Sequence, residues 1–255
     1  MNQTPTATVN VAQIPRIEHD EAMRITAVEN RKFGDLMRAL SIEQWGTQTE
    51  CTRWDVRAMA AHVVGSAASQ ASPREFIRQK RGGKPICKEL DSPFWWDGMN
   101  ELQVRERAAL TTEGLIAEWD TISAKALKAR TKMPRPIARL KLLNLPAPVG
   151  RQPVSYLFDV GFTRDVWAHR VDIAHATGAA PDHDADHDGR ILADIVAEWA
   201  ATHGQPFNLI LAGPAGGTYV QGVGGDEIQI TVIDFVRTLA ERTTGSGVLQ
   251  HSLPL

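Results

Sequence analysis

The sequence predicts a mainly α protein with a smaller α+β part: a four-helix bundle over residues 17–180, then a small α+β domain over residues 187–255. Three observations carry this. Apolar residues recur at threes and fours through most of the first 180 positions, the period of a helix with one buried face. Composition then shifts through an Asp- and His-rich stretch, Ala179 to Gly189. Beyond it, short apolar runs alternate with Gly-rich turns, as in paired strands.

At 255 residues the chain is long enough to bury roughly 70–75% of its unfolded surface. With 43% hydrophobic and 23% charged residues it reads as an ordinary globular protein. A net charge of −2 gives no general attraction to nucleic acid or to a membrane surface. No apolar run is long enough for a spanning helix. Residues 1–16 are expected to form a disordered tail, because Met1 to Pro15 is polar, with Thr, Asn, Gln and Pro, and its lack of a basic start and an apolar middle sets it apart from a secretion signal. Cys51 and Cys87 are isolated, so both are expected as reduced thiols of a cytoplasmic protein.

The first helix runs from Ile17 to about Ser41, with Ile25, Val28, Phe33, Leu36, Met37 and Leu40 on its apolar face. Ile42 to Glu50 is a connection pinned to the core by Trp45. Thr52-Arg53-Trp54-Asp55 reads as a helix start, with Thr52 as the cap and Asp55 reaching back. The helix behind it carries Val56, Met59, Val63 and Val64, with His62 among them. Arg78 to Pro93 contains Gly82-Gly83, Pro85 and Pro93 and reads as a loop. After Phe94, Trp95 and Trp96 a long helical pattern runs from Asn100 to about Lys132, with Thr111 offering a fresh N-cap inside it. Lys125 to Lys141 holds seven Lys or Arg and no acid. Without interleaved aromatics it reads as a solvated helix end and not as a nucleic-acid surface. A Pro-rich crossover, Leu142 to Pro153, leads into the last helix of the bundle, from Tyr156 to Gly178.

In the second domain Ile191 to Trp199 mark a helix, Phe207 to Ala212 and Thr218 to Gln221 a hairpin, and Glu227 to Thr231 a further strand. Val232 to Arg242 is a helix and Val248 to Leu253 a last strand, giving an antiparallel sheet. Asp184, Asp186, Asp188 and Gly189 match the start of a calcium loop, but its twelfth position is Ile195 where a Glu is required. That stretch, with His183 and His187, is read as a solvated linker.

The chemistry-bearing pattern is in Phe162 to Gly178. Asp165 and His169 are four residues apart, one above the other on a helix face, and Asp172 continues the stripe. Two ligands are too few for a metal site, and His62 on the second helix is the available third. Taken alone, His62 reads as a core histidine bonded to a carbonyl. Facing helices of a bundle nonetheless build metal sites from inward side chains. Two imidazoles and one carboxylate leave coordination positions open, as catalytic sites do.

WDVRAMAAHVVG (Trp54 to Gly65) and RDVWAHRVDIAHATG (Arg164 to Gly178) resemble the two signature helices of the mycothiol-dependent maleylpyruvate isomerase family, one of the DinB-like metalloenzymes. DGMNELQVRERA (Asp97 to Ala108) resembles the start of that family's third helix, and LAGPAGGTYVQGVGGDEIQ its sterol-carrier-like C-terminal domain. The resemblance implies a divalent metal, usually zinc, held by His62, Asp165 and His169. It also implies mycothiol as the low-molecular-weight thiol and a small-molecule substrate. The family often has Glu where this chain has Asp165, one methylene shorter. It also implies an assisting arginine, matched by Arg242 in LAERTTG, although Glu241 stands where a Gly is usual. Asn100 and Asp172 are candidates for supporting a metal ligand from behind or for contacting the cofactor or substrate, and equally read as capping or surface residues. The expected activity is thiol-assisted isomerisation or thiol transfer. The rival readings are a metal-dependent hydrolase and a non-enzymatic protein holding an apolar ligand in its C-terminal domain.

Overall fold

The computed structural model describes residues 8–147, 149–179 and 182–254. Among these the chain divides into a helical unit, residues 19–140 and 153–179, and a sheet unit, residues 8–18, 141–152 and 182–254. The chain's start and the crossover at 141–152 go with the sheet unit.

In the helical unit, α1 (His19–Ala39) is followed by a short α2 (Ile42–Trp45), α3 (Val56–Ala71) and α4 (Pro73–Glu89). Next come α5 (Trp95–Glu106), α6 (Thr112–Thr131), a single turn α7 (Arg135–Ala138) and α8 (Phe162–Thr177). Helices α1, α6, α3 and α8 form the bundle, each packed on the next, and the α4–α5 pair lies against α3. The core is built from Phe33, Met37, Met59, Leu115, Trp119 and Ile173, all nearly inaccessible. Helix α3 is central because its residues are small or apolar almost all round, and most are buried.

Several local expectations change. Helix α3 is capped by Asp55, whose carboxylate accepts from Ala58 N at 2.7 Å, and not by Thr52. Ser41 forms a reciprocal cap with Gln44 that starts α2 and buries Trp45. The stretch read as a loop, Arg78 to Pro93, is helical as far as Glu89. Its glycines serve packing: a Cβ on Gly83 would lie 2.6 Å from Met99 N, so only a bare backbone lets α4 and α5 cross this closely. The long pattern from Asn100 to Lys132 is two helices, with Thr111 capping the second through Gly114 N at 3.1 Å.

The basic run is not wholly solvated either. Arg130 is 2% exposed and donates to Gln70 Oε1, Thr26 Oγ1 and Thr163 Oγ1, tying four helices together. Burial pushes its guanidinium down to about 10. A wide π-type turn, Tyr156–Gly161, leads into α8, which Gly178 ends at φ 66°.

The sheet unit contains β1 (Thr8–Asn10), the small antiparallel pair β2 (Leu143–Asn144) and β3 (Arg151–Gln152), and α9 (His187–His203). It is completed by β4 (Phe207–Ala212), β5 (Gly217–Gln221), β6 (Asp226–Thr231) and α10 (Val232–Leu239). The main sheet runs β1-β5-β4-β6. It is mixed and not antiparallel: β4 pairs antiparallel with β5, but β1–β5 and β4–β6 are parallel. The expected tail of residues 1–16 is therefore ordered from Thr8, because backbone pairing to β5 and the buried Val11 hold it; residues 1–7 lie outside the described part. The expected last strand is a 3-10 turn, Gly247–Gln250. There Val248 N bonds the Asp226 carboxylate and Leu253 N bonds Leu239 O, which leaves no ladder to join.

The expected linker is also structured from Asp184 on, residues 180 and 181 lying outside the described part. Asp184 accepts from His187 N at the start of α9, and the fully buried Asp188 takes bonds from Asp184 N and His183 Nδ1. The apolar centre of this unit is Trp199 against Phe207 and Phe235, with ring centroids 4.9 and 5.4 Å away. Cys51 and Cys87 are not joined in a disulfide. No helix among the described residues is long and apolar enough to cross a membrane.

Candidate metal centre

Helix α8 sets the first half of the site. Its i,i+4 spacing stacks Asp165 under His169, with Asp165 Oδ1 3.5 Å from His169 Nε2. Packing of α3 on α8 brings in the third side chain, and His62 Nε2 also lies 3.5 Å from Asp165 Oδ1. One ligating atom from each of the three lies within 4.8 Å of the other two. Asp165, one methylene shorter than a glutamate, still reaches both rings. The histidine side chains are 2% and 8% exposed and Asp165 is 27% exposed, so the trio opens on the carboxylate side.

The rings are held from behind. His62 Nδ1 meets Gln103 Oε1 at 2.8 Å, and His169 Nδ1 meets Asp172 Oδ2 at 3.2 Å. Trp54 stacks on His62 with ring centroids 5.0 Å apart and donates its indole N–H to Glu101. The two imidazoles stand edge-on, 5.1 Å apart. Burial pushes the Asp165 carboxyl up, but the positive charge that His62 and His169 carry when their rings are protonated outweighs it and holds the group below the usual carboxylate range.

Each remaining candidate has a definite place. Asp172 is 7% exposed, and its Oδ2 lies behind the His169 ring, 3.2 Å from Nδ1. Asn100 lies on α5 one turn before Gln103, and no hydrogen bond joins it to the trio. Arg242 belongs to the sheet unit, in the turn after α10, where its guanidinium donates to Ala240 O. Glu241 before it has φ 58°, the left-handed region that glycine favours, so the turn keeps its shape with a costlier residue.

The sequence reading missed Gln103, Gln79 and Trp54. Gln103 could have been found, since it stands on the buried stripe Met99, Gln103, Arg107 at i, i+4 and i+8. Gln79 could not, being inside a stretch read as a loop. Trp54 was visible only as part of a cap.

Residues 27–174 match the family described as the mycothiol maleylpyruvate isomerase N-terminal domain. Among solved structures, the chain resembles the mycothiol-dependent maleylpyruvate isomerase at 18% identity and a TM-score of 0.56, over 94% of each chain. It resembles a histidine-to-alanine mutant of the mycothiol-dependent maleylpyruvate isomerase at 17% identity and a TM-score of 0.57, over 92% of this chain and 93% of that one. At these identities the likeness shows the fold. No curated protein matches the chain.

Proposed function

The chain belongs to the mycothiol maleylpyruvate isomerase N-terminal domain family, and from that premise we propose that it is a divalent-metal-binding, mycothiol-dependent enzyme. Its substrate would be a small electrophile, altered by thiol-assisted isomerisation or thiol transfer. The observation that carries the proposal is the convergence of His62, Asp165 and His169, one ligating atom of each lying within 4.8 Å of the other two, with both Nε2 atoms 3.5 Å from Asp165 Oδ1.

The residues fit a metal. His62 Nε2 is buried and makes no well-formed hydrogen bond, its neighbour Asp165 Oδ1 standing 3.5 Å away, a spacing that suits two ligands of one cation. Two imidazoles and a carboxylate are a zinc-type donor set that leaves room for a further ligand. When bound, the ion would lower the pKa of a thiol beside it, so that thiolate is available at neutral pH.

The protein's own groups do the rest. Asp165 offsets cationic charge on the open side. Gln103 and Asp172 keep each ring's far nitrogen engaged, so that Nε2 faces inward. Trp54 covers one face of His62 and restrains the ring. Arg242 as an assisting residue, and Asn100 as a contact to the thiol, rest on the family resemblance alone.

Elemental analysis of the purified protein should find about one equivalent of a divalent metal, zinc being the expectation from the donor set. H62A should lose it. Maleylpyruvate and other small electrophiles, tested with and without mycothiol, should show turnover only with the thiol. Metal-free protein whose stability is untouched by H62A would overturn the proposal.

A further inference from the structure

Two glutamines with no direct part in that chemistry are almost completely buried in the helical unit: Gln79 is 0% and Gln103 1% exposed. They form a chain of hydrogen bonds whose direction can be read. Gln79 Nε2 faces Gly65 O at 3.1 Å and Glu75 Oε1 at 2.9 Å. Bonds from Arg78 to Glu75 hold that carboxyl below its usual range, so it stays an acceptor. A carbonyl and a carboxylate only accept, so this end of Gln79 must be its NH2.

The Gln79 oxygen therefore faces Gln103, whose Nε2 donates to it at 2.8 Å. That fixes the second amide. Gln103 Oε1 is left facing His62 Nδ1 at 2.8 Å, and an amide oxygen can only accept. The proton of the neutral ring must then sit on Nδ1, leaving the lone pair on Nε2. Gly65 makes room for the approach, since a Cβ there would lie 2.7 Å from Gln103 Cγ.

We infer that Glu75, Gln79 and Gln103 are a positioning relay: anchored by acceptors at one end, they fix His62 as the Nδ1–H tautomer, and so present Nε2 to a divalent cation. The inference rests on the metal-centre reading above. What is new is that tautomer choice is set from Gln79, a residue that touches none of the trio.

The test is the pattern of ring-nitrogen shifts of His62, read by long-range 1H–15N correlation on metal-stripped protein at mildly alkaline pH. Wild type should show a protonated Nδ1 and a bare Nε2. Q79L, which leaves every His62 contact in place, frees the Gln103 amide to turn over and should move the population toward Nε2–H. Affinity for Zn2+ or Co2+ should fall about 10–100-fold in Q79L and Q103L. Q103E, whose buried carboxyl as the neutral acid donates to Gln79 Oε1 and accepts from His62 Nδ1, should keep the wild-type tautomer and bind far better than Q103L.

A wild-type ring protonated on Nε2 overturns the relay without any variant having to fold. So does an unchanged tautomer in Q79L and Q103L. Wild-type protein with the inferred tautomer that binds neither ion would instead sink the metal-centre reading and leave the relay standing.

Discussion

Replacing Gly65 with alanine asks how closely α3 and α5 must approach. The added methyl would sit inside the contact distance of Gln103 Cβ, 2.7 Å from its Cγ and 2.9 Å from Arg107 Nη1. Carbon atoms pack at about 3.5–4.0 Å. Either the helices separate by roughly 1 Å or Gln103 leaves its place. Overpacking of this kind costs about 1–3 kcal/mol. Against it stands the helix preference of Ala over Gly, about 1 kcal/mol. The net expectation is a loss of about 0–2 kcal/mol. Urea unfolding followed by far-ultraviolet circular dichroism, which reports chiefly on the helices, measures it on metal-free protein. Zn2+ affinity should fall in the same variant, because Gln103 can no longer hold His62. A G65A protein more stable by about 1 kcal/mol, with undiminished metal affinity, would refute the packing argument.

D172A removes the carboxylate behind His169 and should weaken Zn2+ binding about 10–100-fold in competition with a chromogenic chelator; equal affinity would show that the ring is held otherwise. Burial first, then the charge of His251, lowers the pKa of His203 from its ordinary 6.5, with Asp226 opposing. The unfolded chain then takes up its proton first, so the stability this ring contributes is present above about pH 6.5 and lost as pH falls toward the lower folded value. H203Q should flatten that loss of stability between neutral and mildly acid pH, and an unchanged slope would assign the loss to other groups. E241G should relieve a left-handed residue costing about 1–2 kcal/mol against a loss of about 0.5–1 kcal/mol in chain entropy. A small gain in unfolding free energy is expected, and a clear loss would count against strain at φ 58°.

What could be read from the sequence was what local geometry decides. Apolar spacing located the four bundle helices, and i,i+4 spacing placed Asp165 under His169 before any packing was known. What needed tertiary contact was lost. Gly82 and Gly83 break helices by propensity, yet in α4 they allow a close crossing that outweighs the preference. Gln79 and Gln103 are amides whose meaning appears only when α4, α5 and α3 meet. His62 could be joined to α8 only through the packing of a bundle or through resemblance to a family. The parallel pairings of β1 with β5 and of β4 with β6 leave no turn signal, so an antiparallel sheet was the natural but incorrect reading.

The strand β1 has a consequence for how the molecule is made. Thr8 leaves the ribosome early, but its neighbour in the sheet is Thr218. At ordinary rates of translation it waits roughly 10–40 s for that partner to be synthesised. The helices can assemble meanwhile, whereas the sheet stays open along one edge until both of its paired segments have been made. A fragment starting at residue 182 would therefore expose β5 to pairing with another chain. Expressing the sheet unit on its own requires grafting the amino-terminal segment back beside it.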